Sequence, residues 1–339
     1  MIASADDGDL LGTLRALMGA ARYREALERY RASSSSSAAS QPETLLLAAT
    51  AATRLGQVTE ARPLAREALA EFRARADSDG RMRTHNLQGA IAFEEGQLAI
   101  AEEQFGAALR LAQGLGDTLL EARASNNLAS VAHLQGNGDQ AVTLYRGALL
   151  SYQRLGDRRG LAETWHNVGI VHRFRSEWEA ADSASTEAIR HAEVLGDAAL
   201  LALAVTGRAE LALDRDDLAA ARRALARAAE RVRAADDEIG GAEVNRLSAQ
   251  LALRSGDAAR ALTQAELALA VANRTGALLL GAEAHAVAAQ ALLLLGRVAD
   301  AEQHRDTART AFERLGAEAF AFRFERAWAR ATREGKETH

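Results

Sequence analysis

Small apolar residues return along this chain on a beat of 40 residues. Alanine stands at Ala61, Ala101, Ala141, Ala181, Ala221, Ala261 and Ala301, and again seven residues later at Ala68, Ala108, Ala148, Ala188, Ala228, Ala268 and Ala308. Two positions seven apart lie on one stripe of a helix, two turns apart, where a neighbouring helix must approach closely. Twelve residues before the first alanine of each pair comes another small residue: Ala49, Gly89, Ala129, Gly169, Ala209, Ala249 and Ala289. It falls on the preceding helix, so each pair of helices is expected to close through small-against-small contact. Turns punctuate the pattern. Leu115-Gly116-Asp117, Leu155-Gly156-Asp157 and Leu195-Gly196-Asp197 stay in phase with Gly276 and Gly316, and a second column runs Gly56, Gly96, Gly136, Gly256 and Gly296, with Ser176 and Asp216 in its gaps. Glycine permits the left-handed residue that ends a helix, Asp caps the helix that follows, and Leu supplies the adjoining apolar contact. Two turns per period predict a helical hairpin (helix A, then helix B) repeated many times.

The ends depart from the beat. Residues 9–32 read as a first helical pair within an N-terminal segment 1–32, and the serine tract in 33–42 reads as a flexible linker. Pro42 restarts the helix near its first turn, where a missing N–H costs nothing. The first pair is therefore hinged to the rest or forms a terminal cap. The regular array covers 43–316, and 317–339 reads as a capping helix with a frayed tail from Gly335. Phe320, Phe322 and Phe324 at spacing two also suit a strand; helical flanks favour the helix.

At these columns the chain resembles the tetratricopeptide repeat (TPR) family. The small residue on helix A, the paired alanines on helix B and the aromatics between them (Phe105, Tyr145), with Trp165 near the start of its helix A, carry the likeness. The common unit is about 34 residues; the longer unit here, ended by Leu-Gly-Asp, looks like the arrays of LGN-type scaffolds, kinesin light chains and MalT-like bacterial regulators. The resemblance implies an all-α, right-handed superhelix of about eight hairpins plus the C-terminal cap, with a concave groove formed by the helix A faces that holds peptides or partner segments.

Composition narrows the chemistry. The chain has 339 residues, 48% hydrophobic but only 4% aromatic, with two prolines, which favours helix nearly throughout. There is no cysteine, so neither disulfides nor thiolate chemistry are available. Net charge is −5, against a general nucleic-acid binder, and no stretch reaches the roughly 18 apolar residues of a membrane span. The acidic start, Met1 to Gly8, lacks the features of a secretory signal; a cytoplasmic protein is expected. All but one of the 41 basic residues are Arg, the exception being Lys336. No zinc, nucleophile-elbow or phosphate-loop motif occurs, and Glu163-x-x-His166 is one half of a di-iron pattern without its second copy. A non-enzyme without metal or cofactor is expected.

Four columns of helix A vary between repeats where the alanines do not, so packing does not dictate them. Within them and beside them, repeats three to five gather Arg83, Asn86, Arg123, Asn126, Asn127, His133, His166, Asn167 and Arg173. Asn amides can pair both the N–H and the C=O of an extended peptide, and Arg grips carboxylates bidentately. An acidic peptide or partner segment is the expected ligand, with the protein a scaffold or adaptor. The competing readings are a peptide-sensing regulator, an enzyme, and a self-assembling array. Leu203, Leu213, Leu253 and Leu293 either extend the groove with an apolar half or are buried by curvature.

Overall fold

The computed structural model describes residues 9–337; the acidic start read from Met1 to Gly8 lies outside them. Seventeen α-helices and no strand occur among the described residues, giving eight successive hairpins and a final helix of a helical-repeat solenoid fold. The chain divides into two compact units, 1–128 and 129–339. The first holds α1 (Leu10–Gly19), α2 (Tyr23–Ala32), α3 (Pro42–Arg54), α4 (Val58–Ala74), α5 (Ser78–Glu94), α6 (Leu98–Leu115) and most of α7 (Thr118–Leu134). The second holds the end of α7 and α8 (Gly138–Leu155), α9 (Arg158–Phe174), α10 (Trp178–Leu195), α11 (Ala198–Asp214) and α12 (Leu218–Ala235). It continues through α13 (Glu238–Arg254), α14 (Ala258–Thr275), α15 (Leu278–Leu294), α16 (Val298–Leu315) and α17 (Glu318–Glu337).

The alanine columns are the core. Every alanine of both helix B columns and every alanine of the helix A column is buried, nearly all of them completely. At Gly89 even a methyl group is excluded: a Cβ there would come within 2.5 Å of the Phe105 ring. The turns also follow the sequence. Gly116, Gly156 and Gly196 are left-handed, and Asp117, Asp157 and Asp197 each accept a backbone N–H three residues on, at 2.9–3.0 Å. The left-handed residue survives where glycine does not, at Ala76, Ser176, Asp216 and Asp236. The leucine of Leu-Gly-Asp does not pack: Leu115, Leu155 and Leu195 are exposed, whereas Leu315, before the left-handed Gly316, is buried.

In the first unit, Leu10, Leu14 and Leu27 share one core cluster with Leu45, Leu46 and Phe72, so α1 and α2 are docked on α3 and α4. The serine-rich stretch between α2 and α3 is a chain of turns held by backbone bonds Ser33 to Tyr30, Ser36 to Ser33 and Ala39 to Ser36, and Ala39 is buried in the same cluster. Small side chains let this stretch fold back on itself, although its composition reads as linker. In the second unit, Leu200, Leu201, Val205, Leu225, Val232 and Leu247 form the largest cluster, with Trp165 packed against it. α17 is helical through Gly335 to Glu337, further than the tail read from the sequence. It buries Phe324 and Trp328, with the Phe324 ring tilted against Phe312 of α16. No described helix is long and apolar enough to cross a membrane.

Candidate binding site on the helix A faces

The nine residues singled out from the sequence fall into two groups, five on the first unit and four on the second. On the first unit, Arg83 of α5 reaches one repeat back to Glu43 of α3, with Nη2–Oε1 at 2.6 Å and Nη1–Oε2 at 3.1 Å, and also meets Asp79 at 2.8 Å. Its side chain is half-exposed, so this is a wet ion pair of modest worth. Asn127 donates to the Asn86 carbonyl oxygen across one repeat at 3.3 Å. Arg123 is exposed; Asn126 is half-buried and is not without a partner.

On the second unit the same columns turn inward. Arg173 of α9 is buried and donates to Glu210 and Asp214 of α11, both at 2.9 Å. Arg246 of α13 is 1% exposed and is the largest fully buried side chain of the protein. It donates to Glu210 at 2.8 Å, to Glu243 at 3.0 Å through Nε, and meets Glu283 of α15 at 3.3 Å. Burial opposes ionisation of Glu210, but Arg173 and Arg246 overcome it and hold its carboxyl down at about 2. Burial pushes Glu283 up to about 7; Arg246 opposes the rise, and the carboxylates of Glu243 and Glu210 add to it. His166 lies against Gly207, where a Cβ would come 2.9 Å from its Nδ1, and burial lowers its pKa. Asn167 is half-buried and engaged.

His133, at the end of α7, packs edge-on against Phe174 with ring centres 4.7 Å apart and against Phe320 of α17 at 5.8 Å. Burial, then Arg173 and Arg323, lower its pKa to about 4, so it is neutral at physiological pH. Arg323 of α17 donates to Asp214 at 2.7 Å and lies over the Phe174 ring, 4.3 Å from its centre. A cavity of about 200 Å³ remains among these helices, lined by Arg173, Glu210, Arg246, Gln250, Glu283, Gln290 and Arg323, among others. Glu210, Arg246 and Glu283 stood in the variable columns but were not among the residues chosen. Their signal is opposite charge at inward positions about one period apart, 36 residues from Glu210 to Arg246 and 37 from Arg246 to Glu283. Of the four groove leucines, Leu213 is buried, Leu203 is exposed, and Leu253 and Leu293 are half-buried. No cluster of three or more His, Asp or Glu side chains placed to hold a metal occurs among the described residues.

Helical hairpins closed by buried alanines, with variable polar positions on the helix A faces, define a repeat protein built to present a surface. A family profile described as tetratricopeptide repeat matches residues 120–193, and the helical hairpins on either side of that stretch follow the same repeat. No curated protein matches it in sequence. Among solved structures, the Rap conjugation gene regulator of plasmid pLS20 in complex with the Phr* peptide aligns with a TM-score of 0.69 at 15% identity, covering 91% of this chain and 95% of that one. A Rap protein complexed with competence and sporulation factor aligns at 0.65 and 14% identity, covering 97% and 98%. Aspartyl phosphate phosphatase F from Bacillus subtilis aligns at 0.66 and 12% identity, covering 91% and 85%. At these identities the likeness is one of fold.

Proposed function

We propose that the protein is a peptide-binding regulator or adaptor, and that the helix A faces of its second unit take the peptide. One observation carries the reading: Arg173, Glu210 and Arg246 are withdrawn from water, with half-buried Glu283 beside them, around a cavity at columns where the repeat needs no charge for packing. Burying ion pairs stabilises a fold weakly at best, whereas charges and amides converging on a cavity recognise ligands. Two structural neighbours of nearly the full length of this chain are complexes with a peptide or a signalling factor, which supports the same reading. Binding, not catalysis, is proposed, because the titratable groups around the cavity are tied to one another in ion pairs. The acidic ligand expected from the sequence draws less support here, since Arg173 and Arg246 already carry carboxylate partners.

Panning a random peptide library against the full chain tests the proposal. A recurring consensus should emerge, and its synthetic representative should lose about tenfold in affinity on Gln250→Ala, with the melting temperature unchanged. Absence of a consensus, or one indifferent to Gln250→Ala, overturns it. Loss on Arg123→Ala/Asn126→Ala alone would move the site to the first unit.

A further inference from the structure

The face described above is partly filled by the chain itself. α17 follows α16 through the left-handed Gly316 and sets Phe320 against Phe174, ring centres 4.7 Å apart, beneath His133. One turn on, Arg323 reaches Asp214, a partner 109 residues earlier in the chain. The face it covers is dense in charge: the repeats contribute Glu210, Asp214, Glu243 and Glu283 beside Arg173 and Arg246, with Arg254 also on the cavity wall. Arg323 adds a further cation, and Asp214 is shared between it and Arg173. A ring beside a carboxylate selects a guanidinium next to an aromatic group.

α17 is held along one face: Phe324 is buried, and Arg305 bonds Glu325 at 3.1 Å and lies over Trp328, while Phe322 on the opposite face is 65% exposed. Arg323 has lost water and faces the like charge of Arg173, and both, burial first, lower its pKa despite Asp214. The helix supplies the right groups at a cost, which is how a competitor that can be displaced behaves.

We propose that α17 is an internal occupant of the peptide site, and that the ligand displacing it carries an arginine and an aromatic residue that take the places of Arg323 on Asp214 and of Phe320 on Phe174. This rests on the peptide-binding reading. The ligand is thus cationic and aromatic on this unit, and binding displaces Phe320 and Arg323 of α17 from Phe174 and Asp214.

A fluorescein-labelled synthetic peptide of residues 317–333, read by anisotropy, tests this on the full chain. A Phe320→Ala/Arg323→Ala chain, whose own helix is weakened, should bind the peptide at least about tenfold more tightly than the unaltered chain. Adding Asp214→Asn should remove the gain, and a peptide with glutamate in place of its Arg323 should not bind. Should the double variant melt early, Arg323→Gln alone gives the same comparison. Equal affinity for both chains, or indifference to Asp214→Asn, overturns the proposal. Library peptides that bind the unaltered chain and are not displaced by the 317–333 peptide would keep the proposed function and overturn this inference. Binding of the 317–333 peptide to the opened chain, with no consensus from the library, would do the reverse.

Discussion

The two units use one set of helix A columns in opposite ways. On the first, Arg83 meets Glu43 and Asp79 while still in contact with water, and Asn86 pairs with Asn127 half-buried. On the second, Arg246 occupies the column of Asn86 and is sealed from water among three carboxylates on α11, α13 and α15. Repeat position sets where a side chain starts, not how wet it is. α17 lies over the second face, and a charge of no great consequence in one unit becomes a costly one in the other.

The sharpest way to break this contrast is to remove one arginine from each. Arg246→Ala leaves Glu210 with Arg173 alone and the half-buried Glu243 and Glu283 without their cation, and should cost about 3 kcal/mol in urea unfolding. Arg83→Ala should cost no more than about 1 kcal/mol. Similar losses would show that the two faces do not differ in energy. The next effect is on pH. Glu283 keeps its proton up to about 7 in the fold, against an ordinary 4.5. Across that window the folded chain binds more protons than the unfolded one, so stability falls as pH rises through it and is level above it. Glu283→Gln should remove a slope on the order of 2 kcal/mol, seen by comparing urea midpoints near pH 5 and pH 8. Glu210 works the other way: its contribution is complete above its ordinary value of 4.5 and is lost as pH falls toward 2. The smallest effect is Asn127→Ala in the first unit, which breaks a single half-wet amide bond and should cost under about 1 kcal/mol in the same assay. A larger loss would mean the Asn pair is buried as firmly as the charges are.

The hairpins were legible because their cause is local and periodic. An alanine that must admit a neighbouring helix recurs at Ala68, Ala108 and onward, and only a small side chain serves. The capping role of Asp117 and its repeats was equally plain. Leu115, Leu155 and Leu195 misled, since an apolar residue at a fixed place implies packing only if its side chain points inward. The site was half legible. Arg173 and His133 stood in the right columns, but Phe320 of α17 packs on His133 and Arg323 shares Asp214 with Arg173 through contacts no 40-residue period governs. Arg246 was not singled out; it is buried among carboxylates of α11, α13 and α15. The serine-rich stretch folded for a reason composition hides, as backbone turns and the apolar contacts of Ala38 and Ala39 hold it in place.

The turns carry one more consequence. A residue other than glycine in the left-handed region gives up roughly 1 kcal/mol, and such residues stand at Ala21 and Ala76 in the first unit and at Ser176, Asp216 and Asp236 in the second. The joints of the array are therefore of unequal strength, although its spacing is uniform. Under tension applied to the chain's ends, the hairpins closed by Ala21, Ser176 and Asp216 should open first, and the glycine-jointed hairpins should yield later.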